Sequence, residues 1–168
     1  MLSEAIRLTL FPAMMAFAAS SDLLTMTIAN RVSLILIGGF ILLAGLGGVT
    51  GVELMSHVGA AAAILAAAFV CFAFGWIGGG DAKLAATSAL WLGFGHLFDY
   101  LIFSSILGGG LTLLIVQFRA LPLPQILAGQ DWVDRLHRPD GGVPYGIALA
   151  AAGLIVYPQT EWMTNTVF

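Results

Sequence analysis

The sequence predicts an all-α integral membrane protein, a bundle of about six transmembrane helices forming a single membrane-embedded domain over residues 1–168. Three observations carry that prediction. Hydrophobic residues make up 60% of the chain and charged residues only 9%, against about 25% charged in an ordinary soluble domain. The intervals 8–21, 32–52, 54–80, 84–98, 100–118 and 141–160 hold no Asp, Glu, Lys or Arg, and four of them are 19 residues or longer. At ~1.5 Å per residue those four can cross a hydrocarbon core of ~30 Å, and the two shorter ones can reach if their ends snorkel. Finally, no ten-residue alternating pattern of a membrane barrel is present, and helices satisfy their own backbone in lipid.

The first interval has two readings. Arg7, a short apolar core and Ala16-Phe17-Ala18 resemble a secretory signal with a small-residue cleavage site. Glu4, however, offsets Arg7, and Pro12 is tolerable inside a bundle helix, so a retained span is expected. Orientation follows from Lys and Arg. Connections one, three and five carry Arg31, Lys83, Arg119, Arg135 and Arg138, while the opposite side carries only Arg7. That bias places the odd connections in the cytoplasm. Trp162 would then anchor the tail at the outer interface.

The Ala60 to Ala68 run, headed by Gly59, reads as small-residue helix packing. Cys71, the single cysteine, excludes an intrachain disulfide and reads as a small buried hydrophobe. His57, His96 and His137 are scattered with no i, i+3 or i, i+4 pair, so no histidine metal site is expected. In the main polar segment, 119–142, Pro122, Pro124 and Pro139 break helix at either end. Between them Ile126, Leu127, Trp132, Val133 and Leu136 suit one side of a short surface helix, or a solvated loop with one apolar turn.

Hydration suffices to explain Glu53, Asp99, Glu161, Asp131, Asp134 and Asp140, which fall in connections or the tail. Asp22 and Asp81 differ. Each sits at the cytoplasmic end of a span with apolar sequence beside it, and ionisable groups there are costly and functional by default. Gly78, Gly79 and Gly80 permit close backbone approach, and Asp81 suits the N-cap of a helix beginning Ala82-Lys83-Leu84, where the dipole and Lys83 favour its ionised form. Asp22 lacks such support, so in a drier place it would hold the proton. Two carboxylates sharing a proton around a water can activate that water against an amide. A glycine-rich turn capped by Asp is also routine structure.

The combination resembles a family. Asp22 followed by Ile28, Ala29 and Asn30 is similar to the Asp-x5-Ile-Pro-Asn signature of type IV prepilin peptidases, with Ala29 in place of proline. "GGGDAKLAA" resembles their GxGD motif, with Gly78, Gly80 and Asp81 in the motif positions and Lys83 two residues on. "GGVPYGIALAAAG" at 141–153 is similar to the Pro-Tyr-Gly stretch opening the last span of the small branch that serves Flp and Tad-type pili.

The resemblance implies a membrane aspartic endopeptidase with its active site at the cytoplasmic face of the bacterial inner membrane. It would remove the short basic leader of prepilins or pseudopilins, with other pilus assembly proteins as further partners. By carry-over Asp22 and Asp81 are the catalytic pair, Gly78 and Gly80 admit the scissile strand, and Lys83 tunes charge or snorkels. Asn30 belongs to the first signature, and Tyr145 lines the site or starts the last helix. No cofactor, metal or nucleic acid is implied. Larger relatives carry a zinc-binding, cysteine-rich region and methylate the product. The short connection 22–31 and lone Cys71 argue against both here. Two other classes stay open: a proton-coupled transporter using Asp22 and Asp81 as a relay, and a catalytically inactive membrane subunit of a pilus or secretion assembly.

Overall fold

The computed structural model describes residues 2–47, 49–124 and 129–164, and among them there is no strand. Helix α1 spans Leu2–Thr25, α2 Asn30–Gly47, α3 Gly51–Ala73, α4 Gly79–Ala120, α5 Asp131–His137, α6 Tyr145–Val156 and α7 Glu161–Thr164, with a 3-10 turn at Tyr157–Gln159 before α7. By length and composition, Ser3–Thr25, Gly51–Ala73 and Gly79–Ala120 can cross a membrane, and Asn30–Leu46 and Tyr145–Gln159 are shorter apolar helices.

The 42 residues of α4 are two helices, because Gly93 has φ +65° and ψ 178°. The break unpairs the carbonyl of Leu90 and the amide of Phe94, which one continuous helix would join. Helix α3 supplies both replacements. His57 Nδ1 donates to Leu90 O at 2.8 Å, and Phe94 N donates to Ser56 Oγ at 3.1 Å. A Cβ on Gly93 would lie 3.2 Å from the His57 ring, so conformation and space both select glycine here.

The chain reverses at that point. The first half of α4, residues 79–92, starts beside Phe72 at the end of α3 and finishes beside Ser56 and His57 near its start. The second half, residues 94–120, returns until Gly108 meets Tyr145 and Arg119 donates to Leu136 O and Gly142 O, both at 2.8 Å. Counting these halves separately gives six apolar helical segments among the described residues. Charge spacing placed the fourth boundary at Asp99; the structure moves it to Gly93, because reversing a backbone needs glycine whereas an exposed Asp99 can ride on the surface of the next helix.

The remaining packing follows the helical repeat. On α1, Phe11, Met15, Ala18 and Asp22 form one buried stripe, and on α6 Gly146, Ala150, Gly153 and the following Tyr157 form another. The two stripes run antiparallel. Asp22 meets Gly146, and Phe11 stacks on Tyr157 with ring centroids 4.5 Å apart. Val32, Leu36, Phe40 and Leu43 give α2 its matching face.

Three local expectations change. Trp162, expected at an interface, is 6% exposed because its Nε1 donates to Trp91 O at 2.8 Å. Glu53 does more than meet water: with Thr50 it closes a capping box at the start of α3. In the polar segment Ile126 and Leu127 lie outside the described residues, while α5 buries Val133 and Leu136 against the bundle. The small-residue expectation for α3 holds only at Ala60 and Ala68, which are buried, whereas Ala62, Ala63, Ala66 and Ala67 are exposed.

Candidate active site

Asp22 is the last inward residue of its stripe on α1, and Asp81 begins a stripe on α4 that continues through Leu84, Ser88 and Trp91. Both stripes end at the same end of the bundle, where α1 stops and α4 starts. Asp22 and Asp81 consequently line one cavity of about 290 Å³, with Met26, Thr27, Ile28 and Gly78 to Gly80 forming its other walls.

Asp22 is 4% exposed and accepts a hydrogen bond from Gly146 N at 2.8 Å. Gly146 is the second residue of α6, so its N–H has no partner within the helix, and the carboxylate occupies the positive end of the helix dipole. A Cβ at that position would fall 2.7 Å from Asp22 Oδ2 and 2.6 Å from Ile28 Cδ1. Glycine alone allows this contact. The Pro-Tyr-Gly stretch offers two roles, lining the site or starting the last helix; Gly146 does both, while the Tyr145 ring lies elsewhere.

Asp81 is half-buried and is not the N-cap. The helix begins at Gly79, two residues earlier than Asp81, with Gly78 as its extended cap at φ −73° and ψ 148°. An acid in this third helical position turns back over the first turn. A Cβ on Gly78 would lie 3.1 Å from Asp81 Oδ2, so the missing side chain makes room for the carboxylate itself. The other glycines serve neighbours too: a Cβ on Gly79 would lie 3.4 Å from the Phe72 ring, and one on Gly80 3.2 Å from Ile28 Cβ. Gly80 therefore lets the α1–α2 connection lie directly on α4.

That connection is tightly wound. Met26 ends α1 in the left-handed region at φ +55°, with its N–H donating to Asp22 O at 2.8 Å. Such a backbone costs a non-glycine residue about 1 kcal/mol. Ser21 Oγ donating to Thr27 O at 2.8 Å helps to hold it. From outside, Arg135 Nη2 donates to Leu24 O at 2.5 Å and ties α5 to the end of α1.

Thus the structure brings together Asp22, Asp81, Gly78 and Gly80. Asn30, Lys83 and Tyr145 line no part of the carboxylate cavity. Lys83 Nζ donates to Asn30 Oδ1 at 2.8 Å on the adjoining face of α4, and the Tyr145 ring packs on Gly108, fastening the start of α6 to the second half of α4. Among the described residues no three His, Cys, Asp or Glu side chains converge as a metal would require.

The sequence model described as the type IV leader peptidase family matches residues 9–113, more than half of the chain and a segment holding both carboxylates. The chain belongs to the type IV leader peptidase family. The family is one of proteases, and three of the described helices are long and apolar enough to cross a membrane, as an integral membrane protein requires. The match ends within α4, so Gly146, the hydrogen-bond donor to Asp22, lies beyond it. No curated protein and no solved structure matches the chain.

Proposed function

We propose that this leader peptidase is an aspartic-type endopeptidase that removes the leader of Flp-type prepilins or pseudopilins at the cytoplasmic face of the bacterial inner membrane, with Asp22 and Asp81 as its catalytic pair. The observation that carries the reading is that both carboxylates line one cavity at one end of the bundle. The positive bias of Arg31, Lys83, Arg119, Arg135 and Arg138 supports a cytoplasmic location for that end.

In the proposed reaction the pair shares one proton. One carboxylate takes a proton from water as the water oxygen bonds to the scissile carbonyl carbon, and the other carboxyl gives its proton to the departing amine as the C–N bond breaks. The microscopic assignment belongs to the pair as a unit. The Gly146 N–H would keep Asp22 oriented throughout. With a four-residue α1–α2 connection and a single cysteine, the chain offers no cysteine-rich region between these helices, and the product is expected without an added methyl group.

The test is a mass measurement. Membranes carrying the wild-type chain or its Asp81→Asn variant are mixed with a short Flp-type prepilin. Loss of the leader only with the wild type supports the proposal. Cleavage by the Asp81→Asn variant at the native rate would sink it, and an inserted wild type that cuts no prepilin would favour a non-catalytic assembly subunit.

A further inference from the structure

Helices α2 and α3 are consecutive and joined by a short connection, yet they stand apart along their length. Two cavities of about 530 and 440 Å³ occupy the space between them. They share Ile37, Val58 and Leu90 as walls and so form one continuous groove, with the outer side of the first half of α4 as its floor. The groove runs from the Lys83 and Asn30 pair at the carboxylate end to Val49 and Leu54 at the far end. At ~1.5 Å per residue the 18 residues of α2 give it a length of ~27 Å, close to the hydrocarbon thickness of a bilayer.

We propose that this groove is the docking site for the substrate chain that continues past the scissile bond, running there as an apolar helix. The proposal rests on the leader-peptidase reading above and adds where the uncut remainder of the substrate lies. Its argument is continuity. Met26 to Ile28 wall the carboxylate cavity, and two residues later the same connection reaches Asn30 at the mouth of the groove. A peptide whose scissile bond lies over Asp22 and Asp81 meets the groove mouth within one short turn.

Bilayer chemistry dictates the occupant's form. The carboxylates sit where apolar helices end, so chain continuing from there into hydrocarbon must satisfy its backbone as a helix. The groove wall suits that form, because Ala61, Ala62 and Ala86 are small enough to let a partner helix backbone approach. The Thr87 hydroxyl does not disturb the apolar wall, since it donates back to Lys83 O at 2.9 Å within its own helix.

Crosslinking tests the site independently of cleavage. Benzoylphenylalanine replaces Leu65 or Ile41 on the groove walls, or Ile106 or Leu113 on the exposed side of the second half of α4, in the Asp81→Asn protein in phospholipid vesicles. After irradiation with a full-length prepilin, adducts at positions 65 and 41 should exceed those at 106 and 113 at least ~10-fold, as expected when a docked partner holds the probe in reach. Equal yields on both faces, or adducts to lipid alone in the groove, overturn the proposal. The wild-type chain is assayed for cleavage of the same prepilin in parallel. No cleavage removes the leader-peptidase reading, whereas cleavage without groove adducts removes only the docking site.

Filling the groove gives the second arm. Ala62→Trp should lower kcat/KM on the full-length prepilin at least ~10-fold, mainly through KM, as loss of binding does. Val70→Trp, at an exposed position of α3 that lines neither cavity, should leave the rate unchanged. A native rate for Ala62→Trp counts against the groove.

Discussion

The two ends of the bundle are built on opposite plans. Away from the carboxylates, Phe11, Phe40, Trp91, Tyr157 and Trp162 interlock with His57, ring against ring, at centroid distances of 4.5 to 6.2 Å. Each large polar ring also has its hydrogen bond: Trp91 Nε1 to Leu36 O at 3.0 Å, Trp162 Nε1 to Trp91 O at 2.8 Å, Tyr157 Oη to Arg7 O at 2.7 Å. Around the carboxylate cavity the described walls carry glycines and no ring. Gly78, Gly80 and Gly146 bring backbones close, and a cavity is left open between them. An unfilled cavity sacrifices packing contacts. The difference teaches that rings and their hydrogen bonds hold one end together, while the other keeps space around two acids.

If that division is real, substitutions at one end should change activity and those at the other stability. The largest effect is expected from Asp22→Asn and Asp81→Asn, each lowering leader cleavage on the order of 10³-fold or more while the thermal midpoint in detergent barely moves. A variant that lost both together would break the division. Next comes Trp91→Ala at the filled end. It should cost about 3 kcal/mol of stability through lost ring contacts, read as a fall in the denaturation midpoint, with the rate of the remaining folded protein retained.

Gly146→Ala follows, with cleavage down on the order of 10²-fold, because its Cβ would displace Asp22 by a sizeable fraction of an ångström. Gly80→Ala should be milder, roughly tenfold, since Ile28 can yield a few tenths of an ångström at a 3.2 Å contact. If Gly80→Ala proved worse than Gly146→Ala, the connection, and not α6, would be what orients Asp22. The smallest effect belongs to Trp162→Phe, which removes one hydrogen bond within a membrane bundle and should cost about 0.6 kcal/mol with no change in cleavage.

Much of this architecture was legible in the chain because lipid forces it. Apolar runs reveal helices, and Asp22 and Asp81 stand out because charges beside such runs are expensive. The convergence of Asp22 and Asp81 was anticipated from matching span ends, and the structure places both on one cavity. What escaped was anything decided by the absence of a side chain. Gly93 resembles any other glycine in an apolar run until His57 and Ser56 are seen taking up the severed backbone groups. Gly146 matters through its N–H and missing Cβ, and neither property leaves a trace in composition or charge. Trp162 was misplaced for a related reason: the preference of indole for interfaces is general, whereas its acceptor, Trp91 O, exists only once α4 and the C-terminal turn have packed.

The reversal at Gly93 also bears on how the chain is made. No loop separates the halves of α4, and between Lys83 and Arg119 the only formally charged side chain is Asp99. Neither half has a polar domain to export, so the two would enter the bilayer together, as one hairpin. The partners for the two backbone groups exposed at its tip, His57 and Ser56, belong to α3. They leave the ribosome first. Synthesis thus delivers the donor and acceptor of the turn before the turn itself, so its two backbone groups would have partners ready on entering hydrocarbon.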